Sequence, residues 1–192
     1  MHFIDFKLVS ILSSIVNWAD SMKTNRIQFN NIYNFKTFDV RPGNKKAFKM
    51  CSQLASNSWT GPNIMYLYGR TGSGKTHLLI STYHALINEI PKNRIIYIPT
   101  YKFVHDFIQS IRERTGDDFV NQYFNLDMLL LDDFDDLTDK EETQTEVCHV
   151  INDLYNKGKM IVVSGLFHPK KYTSFNKKLK SRINRGQIIE IQ

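Results

Sequence analysis

Eight consecutive residues, from Gly69 to Thr76, match the phosphate-binding pattern Gly-x-x-x-x-Gly-Lys-Thr. Glycines at these positions let the backbone curve around a phosphate chain with its N–H groups pointing inward. The ammonium of Lys75 can reach the terminal phosphates, and the hydroxyl of Thr76 can bind Mg²⁺. We therefore predict a site for ATP and Mg²⁺, with these nucleotide-binding residues: Gly69, Arg70, Thr71, Gly72, Ser73, Gly74, Lys75, Thr76 and His77.

The segments on both sides of this loop have the character that such a site needs. Residues 63–68 are rich in branched and aromatic side chains, which favours a buried strand, and residues 77–87 form a mostly apolar helical segment. A helix that begins at the loop adds partial positive charge beside the phosphates. A chance glycine-rich turn is the alternative, and the strand-loop-helix order disfavours it.

A second chemical pattern lies at residues 129–133, where the apolar run Leu-Leu-Leu is followed by Asp132 and Asp133. At the carboxyl end of a strand, Asp132 can hold Mg²⁺ through water, and Asp133 can orient or deprotonate the attacking water. A strand that merely runs into an acidic turn would look similar. Because a phosphate loop is present in the same chain, we favour the catalytic interpretation.

Arg182 is the third candidate, in a basic segment before the last predicted strand. An arginine supplied by a neighbouring subunit contributes about 10³–10⁵ in rate to phosphoryl transfer. By composition alone a solvated basic helix is the better interpretation, and it is the charge layout and the family resemblance described below that favour a catalytic Arg182. From the two motifs we predict that Asp133 is catalytic and that Thr76 and Asp132 bind the metal.

Charge is unevenly distributed along the chain, which has a net charge of +6 and a pI near 9.2. Residues 127–146 contain nine acids, whereas residues 155–189 contain nine lysines and arginines and no acid. This arrangement favours head-to-tail association of copies, the geometry that builds rings or filaments. Nucleic-acid binding by the basic stretch is the rival interpretation.

The order of elements predicts an α/β fold of the P-loop type, with a five-stranded parallel sheet between helices. Apolar strands at residues 63–68, 94–98, 127–131, 160–163 and 188–191 alternate with helical patterns. The length of 192 residues suits one such domain, which we place at residues 33–192. Cys51 and Cys148 occupy apolar helical positions without metal-ligand spacing, which indicates reduced core residues and a cytoplasmic protein.

Residues 1–32 are predicted to form an apolar helix and a linker. Leu8, Ile11, Leu12 and Ile15 share one helical face, so we expect this helix to pack on the domain or on a partner. Its uninterrupted apolar run is too short to span a bilayer, although attachment to a membrane surface is an alternative.

Several ordered motifs from about Tyr33 to Gln192 resemble the AAA+ domain of the bacterial replication initiator DnaA. They are residues 34–40 with Asn44, 74–79, 102–112, 123–134, Thr143-Gln144 and 179–182. The resemblance implies that Arg182 acts on the ATP of a neighbour in a head-to-tail oligomer, formed with itself or with the full-length initiator. It also implies that Ile108 and Lys140 lie near a surface for single-stranded DNA.

The chain departs from that family pattern in four places. Gly165-Leu166-Phe167 replaces the usual Ser-Asp-Arg, which leaves Ser164 as the polar residue there and brings hydrolysis into question. Lys178 and Glu142 stand where arginines are expected, and Glu142 weakens the single-stranded DNA interpretation. The sequence stops at Gln192, before the family's lid and duplex-binding domain, so we expect no duplex recognition by that route.

Two alternative functions follow from the same residues. Helicase loaders of the DnaC/DnaI type resemble the initiator and carry Gly-Lys-Thr-His-Leu, so residues 1–18 could grip a replicative helicase. A regulator that caps an initiator filament without hydrolysing ATP is the second alternative. Hydrolysis and helicase binding would separate these from an initiator-like ATPase.

Overall fold

A computed structural model describes residues 32–87, 89, 91 and 94–192 of the chain. From Tyr33 to Gln192 these residues belong to one compact unit. The predicted helix and nearly all of the predicted linker in residues 1–32 lie outside the described residues and stay predictions. Within the described part of the chain, no helix is both long enough and apolar enough to cross a membrane.

The described elements alternate between helices and strands. In chain order they are α1 (Lys45–Ala55), β1 (Ile64–Tyr68), α2 (Lys75–Leu86), β2 (Ile95–Pro99), α3 (Thr100–Glu113), α4 (Gly116–Phe124), β3 (Met128–Asp132), a first 3₁₀ turn (Phe134–Leu137), α5 (Glu141–Asn156), β4 (Met160–Gly165), a second 3₁₀ turn (Pro169–Lys171), α6 (Lys177–Ile183) and β5 (Gln187–Glu190). All strand pairs are parallel, in the order β2-β3-β4-β1-β5. The predicted five-stranded parallel sheet is therefore confirmed.

Both faces of the sheet are buried, because helices cover each side. In β1, Ile64 and Tyr66 pack into the core formed with α3, α4, α5 and α6, whereas Met65 and Leu67 pack into the core formed with α1 and α2. This alternation explains why the strands are apolar throughout their length. Cys51 of α1 and Cys148 of α5 are buried and free, as predicted from their positions.

The parallel arrangement brings the carboxyl ends of the strands to one edge of the sheet. The loop after β1, Asp132 at the end of β3 and Ser164 near the end of β4 all lie there. Register pairs Tyr68 with Gly165 and Pro99 with Asp132, so the ends of these neighbouring strands are level. The candidate site residues at 69–77 and 132–133 thus meet at a single edge.

Candidate functional site

The phosphate loop joins β1 to α2. Two of its glycines occupy positions where a side chain would be strained or would clash. Gly74 precedes α2 with a φ of 101°, which other residues rarely adopt. A Cβ atom on Gly69 would come within 2.1 Å of the carbonyl oxygen of Ile191. Because N–H groups in the first turn of a helix lack intrahelical partners, α2 can offer them to a phosphate group.

Lys75 begins α2 and is buried beneath the loop. Its Nζ donates hydrogen bonds to the carbonyl oxygens of Gly69, at 2.7 Å, and Arg70, at 3.1 Å. Burial lowers the pKa of this ammonium, while the charges of Asp133 and Asp132 oppose that shift. The fold therefore brings the lysine and the two predicted carboxylates together, and Thr76 follows Lys75 in the same helical turn.

Asp132 is almost completely buried, with 1% of its surface exposed, and side chains from both neighbouring strands hold it. The hydroxyl of Tyr97 on β2 donates to Asp132 Oδ2 at 2.7 Å, and the hydroxyl of Ser164 on β4 donates to Asp132 Oδ1. Burying a carboxylate without such donors would carry a large cost in free energy. Each oxygen can accept further hydrogen bonds, so the group can also bind water around Mg²⁺.

Asp133 turns away from the strand in a left-handed backbone conformation, with a φ of 55° and a ψ of 61°. Its backbone N–H donates to the hydroxyl of Ser164 at 3.0 Å. Desolvation and the charge of Asp132 raise the pKa of the Asp133 carboxyl, and Lys75 opposes the shift. A carboxylate made more basic in this way suits the predicted role of Asp133 in orienting or deprotonating water.

A network of buried hydroxyls supports the segment after β4, where the chain departs from the family pattern. Asp135 Oδ2 accepts a hydrogen bond from the N–H of Leu166 at 2.7 Å, and its Oδ1 accepts one from the hydroxyl of Tyr172. The hydroxyl of Tyr66 donates to the carbonyl oxygen of Phe167 at 3.1 Å. The sequence reasoning missed this network, although a tyrosine in an otherwise apolar strand indicates a buried hydroxyl that needs a partner.

A cavity of about 530 Å³ lies between the phosphate loop and the segment that precedes α1. Its size is within the range of small-molecule sites, about 300–1,000 Å³. His77 Nε2 lies 2.9 Å from the carbonyl oxygen of Asn34, which fixes the segment before α1 beside the loop. These residues line the cavity: Thr37, Phe38, Asp39, Arg41, Asn44, Arg70, Thr71, Gly72, Ser73, Gly74, His77 and Gln192.

Arg182 lies near the end of α6, away from the phosphate loop of its own chain. Its Nε donates to Asn152 Oδ1 at 2.5 Å, and its guanidinium carbon is 4.5 Å from the ring centroid of Tyr155. The carbonyl oxygen of Tyr155 accepts a hydrogen bond from Asn63, which directly precedes β1. Arg182 therefore lies at the amino edge of the sheet, whereas the other predicted site residues lie at the carboxyl edge.

Further cations surround Arg182. A second cavity, of about 340 Å³, is lined by Asn152, Lys177, Lys178, Ser181, Arg182 and Arg185. Three other residues singled out in the sequence lie on exposed surface: Ile108 on α3, Lys140 directly before α5 and Glu142 in the first turn of α5. The structure thus brings together the predicted nucleotide-binding residues and both carboxylates, but not Arg182.

The sheet order, the phosphate loop and the acidic end of β3 define a P-loop nucleotide-binding domain of the AAA+ type. The family model described as "Bacterial DnaA ATPAse domain" matches residues 29–190. Since this match covers most of the chain, the protein belongs to the DnaA ATPase-domain family.

Solved structures agree with this assignment. AMPPCP-bound DnaA from Aquifex aeolicus is 34% identical, with a TM-score of 0.76, over 85% of this chain and 51% of that chain. A structure described as replication initiator DnaA bound to AMPPCP and single-stranded DNA is 32% identical, with a TM-score of 0.80, over 85% and 50%. This chain therefore spans about half the length of both.

A more distant similarity concerns the fold alone. The DnaC helicase loader has a TM-score of 0.69 at 17% identity, over 85% of this chain and 100% of that chain. This chain and the DnaC helicase loader therefore share the same fold. Binding of a helicase by this chain stays a prediction.

Proposed function

We propose that this chain binds ATP with Mg²⁺ and acts in the initiation of DNA replication as a DnaA-like AAA+ protein that assembles head to tail. The observation that carries the proposal is the meeting of Lys75 with Asp132 and Asp133 at one sheet edge, beside a cavity of about 530 Å³. This combination supplies the cation, the carboxylates and the space that a magnesium nucleotide requires.

The residues at this edge fit ATP and Mg²⁺ in chemical type. Backbone N–H groups of the loop and the ammonium of Lys75 would bind phosphate oxygens, while the hydroxyl of Thr76 and the carboxylate of Asp132 would hold the metal or its waters. Mg²⁺ would supply positive charge to neutralise the phosphates. The role of Asp133 would be to orient or deprotonate the water that attacks the terminal phosphate.

Assembly is supported by the separation of Arg182 from the phosphate loop of its own chain. An arginine at the amino edge can complete only the site of another subunit, where it stabilises the charge that develops on the phosphate. The acids at the end of β3 and in α5 complement the lysines and arginines around Arg182 in sign. Contact between unlike faces of this kind repeats from one copy to the next.

A role for single-stranded DNA is supported by one surface. On α3, Tyr101 is 63% exposed and Ile108 is 42% exposed, and Arg112 in the last turn is exposed too. Aromatic faces stack on bases, and arginines attract phosphates. The acidic side chain of Glu142 opposes this use, so we place DNA second to the nucleotide.

Nucleotide binding is tested with Lys75→Ala and with Lys46→Ala, an exposed lysine of α1, as the matched control. Titration with a fluorescent ATP analogue should show binding by the natural chain and by Lys46→Ala, and loss of binding in Lys75→Ala. Equal binding by all three proteins would contradict the proposal. Adding single-stranded DNA and varying the protein concentration would extend the test to assembly.

A regulator that binds ATP without hydrolysing it is the second candidate. Ser164, the polar residue left beside the substituted segment, directs its hydroxyl to Asp132 rather than outward. A turnover assay with added full-length initiator separates the two functions. Hydrolysis that disappears in Asp133→Asn supports the ATPase, whereas no turnover under any condition supports the regulator.

A further inference from the structure

The hydroxyl of Ser164 forms its hydrogen bonds with other groups of the protein. The side chain is completely buried, donates its proton to Asp132 Oδ1 and accepts a hydrogen bond from the N–H of Asp133 at 3.0 Å. A hydroxyl has a single proton to donate. A phosphate-sensing serine would donate this hydrogen bond to a phosphate oxygen. In Ser164 the hydroxyl already donates it to the carboxylate of Asp132.

Tyr97 completes the contact from the opposite side. Its hydroxyl donates to Asp132 Oδ2 at 2.7 Å, so each oxygen of the carboxylate has its own donor. Because the donors come from β2 and β4, the strands on both sides of β3, the carboxylate cannot rotate without breaking a hydrogen bond.

We propose that Ser164 and Tyr97 are positioning residues, which fix Asp132 for the water shell of Mg²⁺, and that Ser164 does not sense the terminal phosphate. This inference rests on the proposed binding of ATP and Mg²⁺. It gives Ser164, which directly precedes the segment that departs from the family pattern, a role that requires no contact with the nucleotide. It also gives a role to Tyr97, which the sequence motifs did not single out.

The expected effect is a loss of metal-dependent affinity. Removing partners that orient a metal ligand typically costs 10–100-fold in metal affinity. We therefore expect Ser164→Ala and Tyr97→Phe each to reduce the gain in nucleotide affinity from Mg²⁺ by about tenfold. The affinity measured in EDTA should stay unchanged, because the phosphate loop and Lys75 are intact.

The experiment measures binding of fluorescent ATP and ADP analogues to the whole chain, with Mg²⁺ and with EDTA. Ser81→Ala is the matched control, since this buried serine of α2 has a hydroxyl without a hydrogen-bond partner among the described residues. We expect Ser81→Ala to match the natural chain in every condition. Both test variants should lose metal-dependent affinity for ATP and ADP alike.

A double variant tests whether Ser164 acts through Asp132. Once Asp132→Asn has removed the charge that binds the metal waters, adding Ser164→Ala should cause no further loss. A further loss, a loss confined to ATP, or an equal loss in EDTA and in Mg²⁺ would each overturn the inference. Natural protein that bound no nucleotide at all would overturn the proposed function first, which distinguishes the two failures.

Discussion

Gly165 lies against the phenol of Tyr66, so closely that a Cβ atom on Gly165 would come within 2.0 Å of the Tyr66 hydroxyl oxygen. The hydroxyl of Tyr172 would be 2.9 Å from the same atom. These two tyrosines occupy the space that a side chain at residue 165 would need. Gly165, the first residue of the departure from the family pattern and the last residue of β4, therefore packs against a side chain of β1.

This contact predicts that Gly165→Ala destabilises the fold. Overpacking a core typically costs about 1–3 kcal/mol, and the backbone of both β1 and β4 limits relaxation here. Tyr66→Phe removes the oxygen at 2.0 Å, so Gly165→Ala should cost less in that background than in the natural chain. Urea unfolding of the two single variants and the double variant measures the coupling.

Gly116→Ala provides the control for this cycle. A Cβ atom there would meet no heavy atom within 4 Å, and Gly116 has an ordinary backbone conformation at the start of α4. We expect it to leave stability unchanged or to raise it by about 0.4–1 kcal/mol. Strictly additive costs for Gly165→Ala and Tyr66→Phe would contradict the packing explanation.

Arg182→Ala should separate nucleotide binding from hydrolysis. Since Arg182 lies at the amino edge of the sheet, its loss should leave the affinity for ATP unchanged and reduce concentration-dependent hydrolysis by about 10³-fold or more. Arg185→Ala, a cation on the same cavity, is the control. Weaker ATP binding by dilute Arg182→Ala protein would place this arginine in its own site and reject the assignment.

Much of the fold can be predicted from the pattern of apolar residues in the sequence. The strands are short apolar runs with helical segments between them, and parallel sheets buried on both faces require this composition. By contrast, α4 is nine residues long and begins with Gly116, so its periodicity is too brief to predict a helix. The meeting of Lys75 with Asp132 and Asp133 could also be predicted from local motifs, because the carboxyl ends of parallel strands lie at one edge of the sheet.

The supporting contacts were beyond sequence reasoning for a different reason. Tyr97 and Ser164 are far apart in sequence and meet Asp132 only because β2 and β4 flank β3. The contact of Gly165 with Tyr66 likewise depends on the register of β1 against β4. A serine or tyrosine in an apolar strand indicates a buried hydroxyl, but the sheet order decides which partner it finds.

Gln144 should contribute strongly to stability, although it is a polar residue in α5. It is completely buried, donates to the carbonyl oxygen of Leu137 at 2.8 Å and accepts from the N–H of Asn176 at 2.7 Å. Gln144→Leu leaves the N–H of Asn176 without its partner, whereas the carbonyl oxygen of Leu137 keeps a hydrogen bond from the N–H of Lys140 at 3.2 Å. A buried group left unsatisfied costs about 1–3 kcal/mol. We expect a loss of about 1–3 kcal/mol in urea unfolding.

The control for this prediction is Gln109→Leu, at an exposed glutamine of α3 that bonds Glu113. Surface changes of this kind usually alter stability by less than about 0.5 kcal/mol. Because Asn176 precedes α6, Gln144→Leu should also reduce the concentration-dependent hydrolysis that we assign to Arg182. Equal stability of the two glutamine variants would show that water replaces the lost partners.

Asp133→Asn should change how stability depends on pH. The pKa of Asp133 is raised in the folded protein above its ordinary value of 3.8, through desolvation and the charge of Asp132. The folded state thus binds this proton more tightly than the unfolded state, and the resulting stability is lost as pH rises through the folded pKa. At neutral pH the ionised group therefore destabilises the natural chain relative to the variant.

The difference in unfolding free energy between Asp133→Asn and the natural chain should be largest at neutral pH. It should shrink as pH falls through the raised pKa and become constant below 3.8. Asparagine also tolerates the left-handed backbone at residue 133, a contribution that does not vary with pH and that Asp139→Asn, at a φ of 58°, measures separately. A difference that stayed flat or grew towards acid pH would contradict the assigned shift, because only a folded-state preference for the protonated carboxyl produces the predicted decline.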